Sequence, residues 1–305
     1  MEFKINGGVW PTQIVLFNKN GSLDIGANKA FVERLIAMGC DGIFTVCQSS
    51  EMFFLTPEEK ITLAKITKEV TGNKISLVAS GHTANDVATQ IEELKRMGDV
   101  GADALVLVSN RLGLGEHSFM QDAMQILEAM PQSQFGFYEC PFPNLRLISD
   151  EELCTLAQTG RVRFLKDVSC NTEIQERRVK LVEGTELKLF NANTQSLLPS
   201  LRGGYYGYNG VMGNFHIDIY KWLYQNIHHS KAEYVQEWLS RTCEIEKHLY
   251  PTCCKYYLQL KGYPFTSYTR SKNADDLTSK AKQLIANLIL EEHELRAELG
   301  LPIQQ

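Results

Sequence analysis

The sequence lacks the features that mark membrane, secreted and nucleic-acid-binding proteins. Its longest apolar runs, such as Ala104 to Val108, have the length of a strand and are too short to cross a bilayer. The first residues, MEFKINGGVW, contain no long apolar stretch of the kind that a signal peptide needs. Lys and Arg form no block, and the formal net charge is -5, so a basic patch for nucleic acid is not expected. We therefore expect a cytoplasmic protein that binds neither a membrane nor nucleic acid.

The cysteines and histidines show no metal-binding pattern. The chain has 8 Cys and 7 His but neither CxxC spacing nor paired histidine ligands, so a zinc site is not expected. Without a secretory signal, disulfides are not expected either, and we interpret the cysteines as buried or half-buried free thiols. Gly113-Leu114-Gly115 has no third glycine at the spacing of a dinucleotide-binding fingerprint. The sequence thus predicts neither a metal nor an organic cofactor.

Short apolar segments alternate with amphipathic ones along the first two thirds of the chain. Each apolar segment is bounded by turn residues, as buried parallel strands are. Eight such alternations favour an α/β fold of the closed (β/α)8 type, a TIM barrel, over the main alternative, a doubly wound open sheet. The predicted strands are Val9–Phe17, Gly42–Val46, Ile75–Ser80, Ala104–Val108, Phe135–Tyr138, Val162–Lys166, Leu187–Asn191 and Gly207–Val211.

After about Asn226 the strand pattern stops, and only helical patterns follow. They lie near Ala232–Leu249, Cys253–Leu260 and Asp275–Leu299. We therefore divide the chain into residues 1–226, a barrel that carries the active site, and residues 227–305, a C-terminal three-helix region. In such a barrel the active site lies at the carboxyl ends of the strands.

Lys166 stands at the end of the sixth predicted strand. Burial of an ammonium group there lowers its pKa, and only the neutral amine can attack a carbonyl carbon. The position therefore favours a lysine that forms a Schiff base. Two structural alternatives stay open at this stage: the side chain could reach out to solvent, or it could pair with the neighbouring Asp167.

Two further strand ends carry polar groups. Tyr138 closes the fifth predicted strand, where an oriented phenol can act as a general acid or base; the alternative is an ordinary core tyrosine. Gln48 and Ser49 follow the second strand, in a turn whose hydroxyl and backbone N–H groups suit a carboxylate. Serines in such loops also serve simply as turn formers.

Taken together, these segments resemble the dihydrodipicolinate synthase/N-acetylneuraminate lyase family over roughly residues 6 to 300. The resemblance is carried by short motifs that are weak singly but specific in this order. They are Gly7-Gly8-Val9-Trp10-Pro11, Cys47-Gln48-Ser49-Ser50-Glu51, Leu55-Thr56-Pro57-Glu58-Glu59, Gly101-Ala102-Asp103-Ala104, Phe137-Tyr138-Glu139-Cys140-Pro141, Leu165-Lys166-Asp167, and Gly203-Gly204-Tyr205-Tyr206-Gly207 with the later Gly213-Asn214.

The resemblance implies a class I lyase or aldolase of the pyruvate type that needs no cofactor. Lys166 would form an imine with a 2-oxo acid, and Tyr138 would move protons. Ser49 and the backbone beside it would hold the pyruvate carboxylate. A protonated imine accepts the electrons of a neighbouring C–C bond, so that bond can be made or broken without a metal.

Three positions depart from the family pattern and bear on the substrate. Gln48 stands where the family has a hydroxyl of its proton relay, and Arg111 stands where a relay tyrosine is expected. Pro143 occupies the approximate place of the arginine that binds the second substrate of dihydrodipicolinate synthase, with Arg146 three residues further on. Dihydrodipicolinate synthesis is therefore not expected.

Amide side chains at the predicted strand ends indicate a pocket for a polar, hydroxylated substrate, with turn formation as the alternative. We accordingly predict Gln48, Asn209 and Arg111 as substrate-binding residues beside Ser49, because Arg111 could hold a second anionic group by a bidentate contact. The amides concerned are Gln48, Asn191, Asn193, Gln195 and Asn209.

Two functions of different classes fit these residues. The first is a lyase or aldolase that acts on a 2-oxo acid. The second is a family member that has lost catalysis and binds or senses a small metabolite, an alternative that the altered relay positions support. Reductive trapping of pyruvate on the protein distinguishes the two.

We predict a homo-oligomer, either a tetramer or a dimer, with Arg111 near a subunit boundary. The reason is that the loop Ser109–Gly115 occupies the stretch that crosses between subunits in the family that the chain resembles. Sedimentation at micromolar protein concentration measures the assembly state, and a monomer there would contradict the prediction.

Overall fold

Eight short parallel strands form the centre of the molecule. In the computed structural model, which describes residues 5–302, consecutive strands from the second to the eighth pair in chain order, and the first strand pairs with the eighth. This is the strand order of a TIM barrel, so the predicted fold is confirmed and the doubly wound sheet is excluded. The strands are β1 (Gly8–Val9), β2 (Gly42–Thr45), β3 (Ser76–Ala79), β4 (Ala104–Val108), β5 (Phe135–Tyr138), β6 (Val162–Asp167), β7 (Lys188–Asn191) and β8 (Gly207–Tyr208).

The first strand is much shorter than predicted. The sequence predicts Val9–Phe17, whereas β1 ends at Val9 and Thr12 forms only an isolated bridge with Phe44 of β2. Pro11 has no N–H to donate and so cannot continue a ladder. Two isolated backbone hydrogen bonds close the barrel between the first and second strands instead. Phe44 N donates to Pro11 O at 3.1 Å, and Gln13 N donates to Phe44 O at 2.9 Å.

The helices surround the barrel and then continue beyond it. Helix α2 begins as its sequence predicts, because the Thr56 hydroxyl accepts from Glu59 N at 3.2 Å while the Glu59 carboxylate accepts from Thr56 N at 2.9 Å. Within residues 5–302, no helix has the length and apolar character needed to cross a membrane. The helices are α1 (Ile25–Ala37), α2 (Pro57–Thr71), α3 (Val87–Gly98), α4 (Phe119–Ala129), α5 (Asp150–Gln158), α6 (Thr172–Leu181), α7 (Leu197–Arg202), α8 (Ile217–Gln225), α9 (Ala232–Thr242), α10 (Thr252–Leu260) and α11 (Ser279–Leu299).

The C-terminal helices pack against the barrel helices through buried charges as well as apolar side chains. Arg296 of α11 donates to Asp218 of α8 at 2.7 Å and to Glu292 at 2.9 Å, and Arg296 is fully buried. The predicted helix Ala232–Leu249 is interrupted: α9 ends at Thr242, and a 3-10 turn, Cys243–Lys247, follows. That turn bends the chain toward the open end of the barrel.

All eight cysteines are free, as predicted, and most are buried. Cys170 is exposed, so the prediction of a buried or half-buried thiol is wrong at this position. The residue lies in the loop after β6, where its backbone adopts a left-handed conformation with a φ of 52°. Loop positions of this kind face solvent rather than the core.

A buried ionic cluster holds the ends of β5 and β6 together. Arg178 of α6 donates to Glu139 at 3.0 Å and forms an ion pair with Asp167 at 2.8 Å, and all three side chains are excluded from solvent. Glu139 also accepts from the backbone N–H groups of Ile148 and Val168, at 2.8 Å and 3.1 Å. Glu139 and Asp167 directly follow the two residues, Tyr138 and Lys166, for which the sequence predicts a catalytic role.

We predict that Arg178→Ala destabilises the fold by about 3–5 kcal/mol, because it leaves two buried carboxylates without their partner. Arg177→Ala is the matched control: Arg177 and Asp150 form a pair with side chains 50% and 43% exposed, so its loss should change stability by less than about 1 kcal/mol. Urea unfolding of both variants measures the difference. Equal effects would contradict the structural role given to the cluster.

Candidate active site

The carboxyl ends of the strands open into a cleft with two adjoining chambers. The chamber of about 300 Å³ that contains Lys166, here called the lysine chamber, is also lined by Asn193 and Gln195. The second, of about 280 Å³, is called the serine chamber and is lined by Ser49 and Tyr250. Four residues border both chambers: Gln48, Tyr138, Val211 and Glu246.

Lys166 points into the lysine chamber without a counter-ion. Its side chain is buried, its Nζ lies 4.5 Å from the ring centre of Tyr138, and it forms no ion pair among residues 5–302. Burial lowers its pKa to about 8, although Cys47, Cys140 and Glu246 act in the opposite direction. Near neutral pH about a tenth of the amine is therefore uncharged and able to attack a carbonyl. Neither structural alternative describes its position, since Asp167 pairs with Arg178 instead.

Tyr138 directs its hydroxyl group toward Gln48. The phenol donates to Gln48 Oε1 at 3.1 Å, and Cys140 Sγ lies 3.7 Å from the same oxygen. Burial raises the pKa of Tyr138 well above its ordinary value, and the nearby Cys140 and Cys47 add to the effect. The phenol is therefore a hydrogen-bond donor near neutral pH. The acceptor of its hydrogen bond is the Gln48 amide oxygen, and an amide does not pass a proton on.

Ser49 lies in a 3-10 turn, Gln48–Ser50, which begins three residues after the end of β2. Its hydroxyl donates to Thr12 Oγ1 at 3.0 Å and borders the serine chamber. Glu51 ends the turn in a left-handed conformation, and its carboxylate accepts from the backbone N–H of Ser271 at 2.7 Å. Lys255 forms an ion pair with Glu51 at 3.2 Å. A segment of the C-terminal region thus fixes the turn that presents Ser49.

Two of the predicted substrate-binding residues lie outside both chambers of the single chain. Asn209 is fully buried and donates to Trp10 O at 2.6 Å, inside the barrel. The Arg111 guanidinium donates to Asn85 Oδ1. Arg146 is engaged as well, since it pairs with Glu152 at 2.6 Å. Substrate contacts by Asn209 and Arg111 therefore stay predictions without a supporting contact here.

The predicted amide-rich pocket is present in part. Gln48, Asn193 and Gln195 line the lysine chamber. Asn191 does not, because its amide donates to Ser196 Oγ at 3.0 Å beneath the chamber floor and is fully buried. Three amides thus remain that could bond a hydroxylated substrate.

Sequence reasoning missed Glu246, which lies on the turn Cys243–Lys247 and borders both chambers. Its carboxylate makes no hydrogen bond or ion pair among residues 5–302. Burial raises its pKa to about 7, while the nearby Lys166 acts in the opposite direction. Charged residues spaced along a helical segment are usually solvated, so the sequence alone gave no signal here. The described residues contain no group of three or more His, Cys, Asp or Glu side chains placed to hold a metal.

A TIM barrel with an amine in the cleft at its strand ends has the architecture of barrel lyases and aldolases. The model of the dihydrodipicolinate synthetase family matches residues 6–289, and the chain belongs to this family.

Individual relatives are distant in sequence. The 4-hydroxy-tetrahydrodipicolinate synthase of Corynebacterium diphtheriae is 24% identical over 231 residues, which cover 76% of this chain and 75% of the relative. The dihydrodipicolinate synthase DapA-2 of Bacillus anthracis superposes with a TM-score of 0.84 at 20% identity, covering 93% of this chain and 98% of the other. YagE, a prophage protein of the same family from Escherichia coli K12 solved with pyruvate, gives 0.83 at 18% identity, with 93% and 98% covered.

We predict that Glu246→Gln stabilises the protein above pH 7 by roughly 1–3 kcal/mol, since one pKa unit corresponds to about 1.4 kcal/mol. The folded protein holds the pKa of this carboxyl above its ordinary value of 4.5, so ionisation disfavours the folded state. The gain should be complete above pH 7, shrink as the pH falls, and vanish below pH 4.5. Urea unfolding across this range measures it, and a gain independent of pH would refute the assignment.

Proposed function

We propose that the protein is a Schiff-base-forming lyase or aldolase that makes or breaks a C–C bond in a 2-oxo acid of the pyruvate type. The observation that carries the proposal is the buried, unpaired amine of Lys166 beside Tyr138, with a pKa lowered to about 8. Membership of the dihydrodipicolinate synthetase family supports it, as does the pyruvate complex of the structural relative YagE.

The proposed reaction begins with attack of the neutral Lys166 amine on C2 of the 2-oxo acid. The carbinolamine loses its oxygen as water and becomes a protonated imine, which draws electrons from the bond beyond C3. Ser49 binds the substrate carboxylate across the cleft. Asn193 and Gln195, which line the lysine chamber, bond hydroxyl groups further along the substrate. Tyr138 donates its hydroxyl hydrogen to groups that become negative during the reaction.

A catalytically inactive member that binds a small metabolite is the second candidate. The bond from Tyr138 to Gln48 at 3.1 Å favours it, because a proton relay cannot run through an amide. Such a protein would bind a 2-oxo acid without forming a covalent bond to it. The trapping experiment below separates the two functions.

We predict that pyruvate and borohydride add a reduced pyruvyl group to the wild-type chain and that Lys166→Ala abolishes the addition. Peptide mass spectrometry should locate the group on Lys166. Lys255 provides an internal control: burial also lowers its pKa to about 8, but it is held by Glu51 and should stay unlabelled. The variant Lys188→Ala, at the start of β7, should trap pyruvate as the wild type does. Labelling that persists in Lys166→Ala would contradict the proposal.

We also predict negligible condensation of pyruvate with aspartate semialdehyde. Gln48 cannot relay a proton, and Arg146, the arginine nearest the position expected to bind the semialdehyde carboxylate, is engaged with Glu152. Cleavage of a polyhydroxylated or acidic 2-oxo acid is expected instead. Steady-state assays decide the point: a kcat/KM for the semialdehyde of about 10⁴ M⁻¹s⁻¹ or more would overturn this choice of substrate.

A further inference from the structure

The imine chemistry proposed for Lys166 requires a group that moves a proton at C3 of the substrate. Deprotonation there converts the imine into an enamine, and reprotonation reverses the step. Tyr138 is poorly suited, because burial raises its pKa well above the ordinary value and its hydrogen bond ends on the Gln48 amide. Another acid–base group must therefore border the chamber if the site is to turn over.

Most titratable groups around the lysine chamber are unsuited to this role. Glu244 is paired with Lys247 at 2.6 Å and also accepts from the Gln195 amide at 3.2 Å. Burial raises the pKa of the Cys243 thiol, and partial desolvation raises that of Cys170 although its side chain is exposed, so neither is a thiolate near neutral pH. The remaining carboxylate is Glu246, which borders both chambers and has no hydrogen-bond or ion-pair partner among residues 5–302.

We propose that Glu246, delivered by the turn Cys243–Lys247 of the C-terminal region, is the catalytic acid–base residue that moves the C3 proton of the Lys166 imine. The inference rests on the proposed function. In the forward step the carboxylate takes a proton from C3, and the C–H electron pair becomes the C2–C3 double bond. The C=N electron pair becomes the nitrogen lone pair, which gives a neutral enamine. Return of the proton from the carboxylic acid to C3 reverses every change, so atoms and charge balance.

The surroundings of Glu246 bring the pKa of its carboxyl close to neutral pH. Burial raises its pKa to about 7, with Glu244 adding to the rise and Lys166 and Lys247 opposing it. A general base is most effective when its pKa lies near the working pH. The fraction present as carboxylate, and hence the rate of C3 deprotonation, should rise as the pH increases through about 7. The titratable groups that interact with Glu246 are Lys166, Cys170, Tyr208, Cys243, Glu244, Lys247 and Cys253.

Exchange of the pyruvate methyl protons with D2O tests the inference without knowledge of the second substrate. Proton NMR follows the loss of the methyl signal, and borohydride trapping measures the fraction of imine in parallel. We expect Glu246→Gln to trap pyruvate as the wild type does and to slow the exchange, normalised to the imine, by about 100-fold or more. Glu237→Gln makes the same charge change on the exposed face of α9 and should exchange at the wild-type rate.

Two further measurements separate proton transfer from a structural role. Glu246→Asp keeps a carboxylate and should recover much of the lost exchange. Added formate should partly restore exchange to Glu246→Ala, and the rise of the rate through about pH 7 should be missing in Glu246→Gln. Normalised exchange in Glu246→Gln equal to that of the wild type would overturn the inference. A wild-type chain that traps no pyruvate would defeat the proposed function itself.

Discussion

The cleft depends on the burial of one amine, that of Lys166, which forms no ion pair among residues 5–302. A buried ammonium without a partner is unfavourable, so the surroundings of Lys166 favour its neutral form and lower its pKa. The neighbouring Asp167 could have provided a counter-ion. It is held instead by Arg178 and by the Tyr205 hydroxyl, on the side of the strand away from the chamber. Two consecutive residues of β6 therefore have different surroundings. Lys166 faces the cleft, whereas Asp167 connects the end of the strand to α6 through its ion pair with Arg178.

Much of the fold could be predicted from the sequence because apolar strand segments and helix caps are local signals. The bounds of β4 and β5 match the prediction. Those of β1 do not, because Pro11 within the apolar segment has no backbone N–H to donate to a neighbouring strand. The location of Lys166 and Tyr138 in the cleft could be predicted, because residues at the carboxyl ends of barrel strands face a common cleft. Glu246 could not, because its place depends on a break in a predicted helix and on the packing of that segment over the barrel. The direction of a side chain at a strand end cannot be predicted from local sequence patterns either. Asn209, for example, is predicted from the sequence to bind substrate but donates a hydrogen bond to the Trp10 carbonyl inside the barrel.

The family fold is retained here at low sequence identity to its relatives. A TM-score of 0.84 at 20% identity shows how little sequence the barrel itself requires. The groups that border the lysine chamber are held by different elements: Gln48 by the turn after β2, Tyr138 by β5 and Glu246 by the turn after α9. A substitution in one of these elements can therefore leave Lys166 on β6 in place.

The turn Cys243–Lys247 has a consequence for the order in which the protein matures during synthesis. Chains emerge from the ribosome with the N-terminal part first, and every strand of the barrel precedes residue 226. A nascent barrel can therefore contain Lys166 and Tyr138 while one wall of its cleft is still missing. The wall is added only when the last quarter of the chain has been translated and has docked through the Arg296–Asp218 contact. The cleft around Lys166 therefore gains its last wall only in the finished polypeptide.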